Sequence, residues 1–246
     1  MGIRAIGRGL DIVYICRRGE NEELRYSIRS VVKHLPHDKI WLVGYKPDWY
    51  TGNFIPVIDR FSKYKNIRMA LKAIAESEEI TEDFLLMNDD FFIVKPVDKI
   101  ETYNGGLLKD KVDQYRVLHG SGAYLSLIEN TYSRLVRSGI ENPIDYDIHV
   151  PMPMDKTGLN SVWNLPCLPQ SMFGNLNNIS SRTISDVKHY DTPKMKSKSY
   201  DYLNGDLPFI SSEDRSFNDV YEDVLKDLFI DPSPYESPQL ESNQRP

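Results

Sequence analysis

Phe84-Leu85-Leu86-Met87-Asn88-Asp89-Asp90-Phe91-Phe92-Ile93-Val94 is an apolar run interrupted by two adjacent carboxylates. An anion taken out of water needs a partner, so an acidic pair inside what reads as a buried strand calls for an explanation. A hard divalent cation is one: Mg²⁺ or Mn²⁺ takes oxygen ligands at a strand end and keeps open positions for substrate phosphates. That chemistry acts on a nucleotide or nucleotide-sugar. The competing explanation is a turn between two strands of a hairpin, because Asn and Asp favour turns. The motif alone leaves the two even.

Working outward, the first hundred residues alternate strand and helix. Asp11-Ile12-Val13-Tyr14-Ile15-Cys16 suits a buried strand. Asn21 offers a helix cap, Glu22 and Glu23 suit a first turn, and Leu24, Ile28, Val31, Val32 and Leu35 recur at helical spacing until Pro36. Lys39-Ile40-Trp41-Leu42-Val43 is a second strand ended by Gly44, and Phe54-Ile55-Pro56-Val57-Ile58 a third. Asn66 caps a helix carrying Met69, Ala70, Ala73 and Ile74, and the strand before Asn88 follows. This β-α-β-β-α-β order predicts an α/β fold with a Rossmann-like mixed, mostly parallel sheet flanked by helices. Ligands of such sheets bind beyond the carboxyl ends of the strands. Cys16-Arg17-Arg18 and Asn88-Asp89-Asp90 both stand at such ends, so they are expected to meet.

The second half is less regular. Leu125 to Ser138 reads as a helix stopped by Gly139. From Asn142 to Ile210 the abundance of Pro, Asn, Ser and Gly predicts short strands and long loops that shape an acceptor pocket. A last helix is expected from about Asp214 to Phe229, then a packed strap from Pro232. One domain is expected over residues 1–236, with a frayed tail at 237–246.

Bulk properties set limits. A chain of 246 residues that is 40% hydrophobic and 27% charged can bury a substantial core. The net charge of −6 argues against a general nucleic-acid coat but leaves room for a local basic patch. Two cysteines, Cys16 and Cys167, make neither a disulfide framework nor a four-ligand zinc site. Neither a signal segment nor a stretch long enough for a membrane span is visible, so the expected location is cytoplasmic.

Several residues could carry chemistry. Arg17 and Arg18 after the first strand, with Arg25 in the next helix, suit a phosphate or diphosphate; the alternative is surface pairing with Glu20, Glu22 and Glu23. His149, in Asp147-Ile148-His149-Val150-Pro151, is held by a rigid segment as a general base must be, and a structural His fits as well. Glu213 and Asp214 suit the first turn of the last helix, yet a carboxylate there could also act as a catalytic base. His189, after Asp186 and Lys188, suggests no strong role.

A family resemblance bears on these alternatives. Glu23-Leu24-Arg25-Tyr26-Ser27-Ile28-Arg29-Ser30, Leu35-Pro36, Ile40-Trp41-Leu42-Val43-Gly44 and Pro47-Asp48-Trp49 resemble the second conserved region of the Stealth proteins. Those are sugar-phosphate transferases of capsule synthesis and lysosomal-enzyme tagging. The likeness continues through Glu82 to Phe92, at His149-Val150-Pro151, and more loosely at Ser212-Glu213-Asp214. The chain is also similar to compact glycosyltransferase-like proteins of phage and bacterial genomes, which add Asp186-Val187-Lys188 and Pro234-Tyr235-Glu236. The resemblance implies a GT-A-like nucleotide-sugar fold with Mn²⁺ or Mg²⁺ on Asp89 and Asp90. It makes Arg25 a diphosphate or structural contact and His149 a catalytic or acceptor-side residue, while Arg17, Arg18 and Asn88 are expected on the donor side from their place at the strand ends. Two departures favour transfer of a sugar over a sugar-1-phosphate: Arg17-Arg18-Gly19-Glu20 replaces an acidic first region, and a fourth region is missing. The expected activity is thus a glycosyltransferase using a nucleotide-sugar, a UDP-sugar first. Its acceptor would be a glycan, a protein, a small molecule or a modified DNA base. The rivals are a Stealth-type sugar-1-phosphate transferase and a non-catalytic module that binds a glycan or nucleotide.

Overall fold

The computed structural model describes residues 9–19, 21–58, 62–193, 203 and 205–237. In chain order the first elements are β1 (Asp11–Cys16), α1 (Glu22–His34), β2 (Ile40–Gly44), β3 (Asn53–Pro56), α2 (Lys63–Glu76) and β4 (Asp83–Met87). Next come β5 (Phe91–Ile93), β6 (Tyr103–Asn104), α3 (Leu108–His119), α4 (Ala123–Arg137) and β7 (Met152–Asp155). Two short helices, α5 (Lys156–Asn160) and α6 (Pro169–Leu176), precede β8 (Arg182–Thr183), β9 (Lys188–His189) and β10 (Phe209–Ser212).

The main sheet has the order β3-β2-β1-β4-β7. Its first four strands are parallel, and β7 runs antiparallel to β4 along the edge. The mixed, mostly parallel sheet expected from the sequence is therefore present. Alternation along each strand divides the core in two. Val13, Trp41, Val43, Phe84 and Leu86 share a cluster with Ala70, Leu71 and Ile74 of α2. Ile12, Tyr14, Leu42, Leu85 and Met87 share the other with Leu24, Ile28 and Val31 of α1. Strand order reverses at β1: the chain runs outward to β2 and β3, then returns to lay β4 on the other side of β1. Ligands of such sheets bind in the crevice at a reversal of this kind, here beyond the carboxyl ends of β1 and β4.

Several boundaries differ from the sequence reading, each for a local reason. The α2 helix starts after Ser62 rather than Asn66, with the Lys65 and Asn66 amides donating to the Ser62 carbonyl at 2.9 Å. The 142–210 stretch, expected to hold short strands and long loops, also holds two helices, and Pro169 sits in the first turn of α6, where its missing N–H costs nothing. The last helix is not continuous. Asp214–Ser216 and Glu222–Leu228 flank a π turn over Phe217–Tyr221, and both of those aromatic residues are buried. By contrast α4 stops where expected, with Gly139 at φ +89° just past its end.

The strap is packed. Tyr235 stacks on Tyr50 at 6.0 Å, Thr51 N donates to Tyr235 O at 2.8 Å, and Ser237 N donates to Trp49 O at 2.7 Å. From residue 238 the expected frayed tail lies outside the described residues. Among the described residues, no helix is long and apolar enough to cross a membrane.

Candidate active site

Asn88-Asp89-Asp90 carries the chain out of the main sheet. The next strand, β5, pairs with β10 in a second sheet of order β5-β10-β9. The hairpin reading of this motif is thus corrected: β4 and β5 belong to different sheets, and the acids stand at the junction, at the crevice mouth. Asn21 ties the two crevice walls together. Its Oδ1 accepts the Leu24 amide at 3.1 Å, capping α1, while its Nδ2 donates to Asp89 Oδ2 at 2.5 Å. Arg17 and Arg18 are exposed at the end of β1. Burial and the adjacent Asp90 push the Asp89 carboxyl above the ordinary range, and they outweigh the Asn21 bond and the Arg17 charge.

Asp90 faces the other way. Its Oδ2 accepts from Lys188 Nζ at 2.9 Å, its carbonyl accepts Ser212 N at 3.2 Å, and its buried Oδ1 has no partner. Burial works against the Lys188 ammonium, but Asp90 outweighs it and raises the lysine above its usual range.

The antiparallel direction of β7 brings in His149. Met152 pairs with Leu86, so the residues just before β7 run alongside the acidic end of β4. His149 Nδ1 lies 2.7 Å from Asp186 Oδ2, and its backbone N donates to Asp186 Oδ1 at 3.3 Å. Burial raises the Asp186 carboxyl, but the bonds from His149 and from Lys188 N win and hold it below the ordinary range. A carboxylate at Nδ1 fixes a proton on that nitrogen, so proton transfer falls to Nε2 of a side chain that is one-third exposed. Beyond the dyad, Lys111 Nζ bonds Asp145 Oδ2 at 2.9 Å, and Tyr124 Oη donates to Asp147 Oδ2 at 2.6 Å. Pairwise charge interactions thus link Arg17 with Asp89, Lys188 with Asp90 and Asp186, and Lys111 with Asp186.

Not every residue singled out from the sequence joins this line. The Arg25 guanidinium is engaged by Glu22 at 2.8 Å and Glu236 at 3.1 Å, and it lies over the Trp49 ring at 4.6 Å. Of the two roles expected of it, a diphosphate contact or a structural one, these contacts fit the structural one, a tie between α1 and the strap. Glu213 Oε1 accepts the Asp191 amide at 3.0 Å, and Glu213 N donates to Ser216 Oγ at 2.9 Å, so this residue organises the helix start. Asp214 opens that helix, and its side chain lies outside the described part. Asn88 is half-buried, with its carbonyl accepting Phe91 N at 3.3 Å. The sequence reading quoted Asp186 and Lys188 within a shared segment but gave them no role. Their signal was there: two residues apart in an extended segment, they project to one side.

Asp89 and Asp90 can be tested against the implied ion. Among the described residues no three His, Cys, Asp or Glu side chains form a metal cage. A free carboxylate oxygen on Asp90 beside an over-crowded Asp89 still suits Mg²⁺ or Mn²⁺, which use one or two carboxylates and complete their shell with waters and phosphates.

No protein-family model matches the chain, and no curated protein matches it. The Stealth resemblance therefore stays a likeness of short segments. Among solved structures the chain is similar to the glycosyltransferase GlyE of Streptococcus pneumoniae TIGR4, at 12% identity and a TM-score of 0.45. That match covers 92% of this chain and 61% of GlyE, so the chain spans about three-fifths of its length. It is also similar to 4-diphosphocytidyl-2C-methyl-D-erythritol synthase from Anaerococcus prevotii DSM 20548, at 12% identity and a TM-score of 0.39 over 81% of this chain and 100% of that one. Likenesses of this size leave the functional argument to the chain's own residues.

Proposed function

We propose that this chain is a glycosyltransferase that moves a sugar from a nucleoside-diphosphate donor, a UDP-sugar first, to an acceptor hydroxyl. The observation that carries this reading is an acidic pair with an unpartnered carboxylate oxygen at the reversal point of the sheet, between exposed arginines and a His–Asp dyad. Arg17 and Arg18 bind diphosphate oxygens as charged donors. Asp89 and Asp90 would hold a Mn²⁺ or Mg²⁺ ion, which would supply electrostatic stabilisation of the charge on the departing nucleoside diphosphate. His149 Nε2 takes the acceptor's hydroxyl proton as that oxygen bonds to the anomeric carbon and the sugar–phosphate bond breaks. Asp186 fixes the ring and stabilises the imidazolium that forms. Of the three base candidates, His149 is favoured because Glu213 is committed to the Asp191 amide. The acceptor class, whether glycan, protein, small molecule or modified DNA base, is set by groups on the Lys111 and Tyr124 side.

The test is thermal stability with a panel of nucleotide-sugars, with and without Mn²⁺, since a ligand of the native state raises Tm. One donor should give a metal-enhanced shift that Asp90→Ala abolishes. Released nucleoside diphosphate identifies sugar transfer, and nucleoside monophosphate would move the reading to sugar-1-phosphate transfer. An Asp90→Ala protein that binds the donor like wild type would overturn the site.

A further inference from the structure

Lys188 and Asp90 come from segments 98 residues apart, yet both are fixed to one strand. Lys188 is held by parallel pairing with Ser211 of β10, and Asp90 by the Ser212 amide of the same strand. Their side chains are 18% and 14% exposed, so the 2.9 Å contact is largely shielded from water. The contact uses one oxygen of Asp90; the other, Oδ1, is buried without a partner, and Asp89, held by Asn21 Nδ2 at 2.5 Å, is its chain neighbour. Lys188 thus engages one oxygen of Asp90 and leaves the other for a further positive charge. Lysine suits a temporary partner: it is a compact point charge on a flexible four-carbon stem, without the planar fork that locks an arginine onto a carboxylate.

We propose that Lys188 is the resident counter-ion of the acidic pair and the ligand that the donor's diphosphate takes up. In the free protein its ammonium covers Asp90 and weakens the pair's hold on a lone divalent cation. A diphosphate in the crevice draws the ammonium from Asp90 to its own oxygens, leaving Asp90 for the cation that accompanies it. Cation and diphosphate then bind cooperatively, each raising the affinity of the other by the same factor. This deepens the donor-site reading and rests on it.

The experiment titrates Mn²⁺, followed by the paramagnetic resonance of the free ion, into wild type, Lys188→Met, Lys188→Gln and Lys188→Arg, alone and with UDP. Circular dichroism establishes that each variant is folded, and Lys188→Gln serves if the methionine variant is not. Wild type should bind Mn²⁺ alone weakly and much more tightly with UDP. The neutral variants should bind Mn²⁺ alone about tenfold more tightly, because the competing charge is gone, and lose about tenfold of the UDP enhancement. Lys188→Arg, which keeps the charge, should stay near wild type in the ion-alone arm. Equal Mn²⁺ affinity in wild type and the neutral variants overturns the counter-ion role, and an undiminished UDP enhancement overturns the phosphate role. A wild type indifferent to UDP would instead remove the donor reading, while the ion-alone comparison still decides what Lys188 does.

Discussion

Two groups of charged side chains lie along α1, and they are resolved in opposite ways. One and two turns into the helix, Arg25 and Arg29 hold Glu236 of the strap. Arg29 Nε and a nitrogen of its fork reach the two carboxylate oxygens at 2.7 and 2.6 Å. Ser233 N adds a bond at 2.8 Å and Arg25 one at 3.1 Å. Burial would raise the Glu236 carboxyl, but Arg29 and Ser233 more than compensate and hold it low. At the start of the same helix, Asn21 meets Asp89 beside a second carboxylate, Asp90. There burial and a like charge win, the Asp89 carboxyl is pushed up, and an oxygen of Asp90 is left bare. A buried acid whose lone pairs are all met is an anchor. One left short of positive charge is a site waiting for a ligand.

The strongest way to break this comparison is to strip the anchor. Arg29→Ala leaves Glu236, whose side chain is only 3% exposed, without its bidentate partner. Removing one member of a buried pair costs about 4 kcal/mol, so urea or thermal unfolding should show a large loss. The donor-induced rise in Tm should persist in that variant. If it vanished, the two clusters would be one functional unit.

Acid tests both clusters at once. His189, buried beside the Tyr221 hydroxyl on the crevice side, is pushed by burial down to about 4. The unfolded chain protonates its histidines near 6.5, so between those values it binds a proton that the folded protein does not. Stability should then fall as pH drops through this window. Glu236 acts in the same direction at lower pH, because its depressed carboxyl stabilises the fold above the ordinary glutamate value and stops doing so as it protonates. Asp89 has the opposite sign: its raised pKa means that its burial cost is relieved on protonation. Urea melts from pH 7 to 4 should slope downward, and His189→Gln should flatten the upper part of that slope.

The smallest effect sharpens the contrast most. Asp89→Asn keeps the shape and an acceptor for Asn21 while removing a crowded charge. It should stabilise the free protein at pH 7 by about 1 kcal/mol and lose metal-enhanced donor binding. A destabilised Asp89→Asn would mean that this carboxylate is an anchor like Glu236.

Much of the frame was legible in the residues. The apolar runs at 11–16, 40–43 and 84–87, with helical spacing from Leu24 to Leu35, carry the β-α-β-β-α-β order in short windows. Local pattern reads such elements because side-chain period depends only on neighbouring backbone. It also put Arg17 and Asp89 at strand ends. It could not find the partner of Arg25, a carboxylate 211 residues away.

The sequence by itself therefore determined the strands, the first helices and the acidic motif, since each is written within a dozen residues. Only the tertiary structure decided that β7 runs antiparallel, which carries His149 to the acidic end of β4. The tertiary structure also decided that β5 leaves the main sheet to join β10, and that Lys188 comes to Asp90. Those choices are long-range pairings, 37 residues apart for His149 and Asp186 and 98 for Asp90 and Lys188. Their free energy comes from burial and charge matching across the whole fold, which no local window contains.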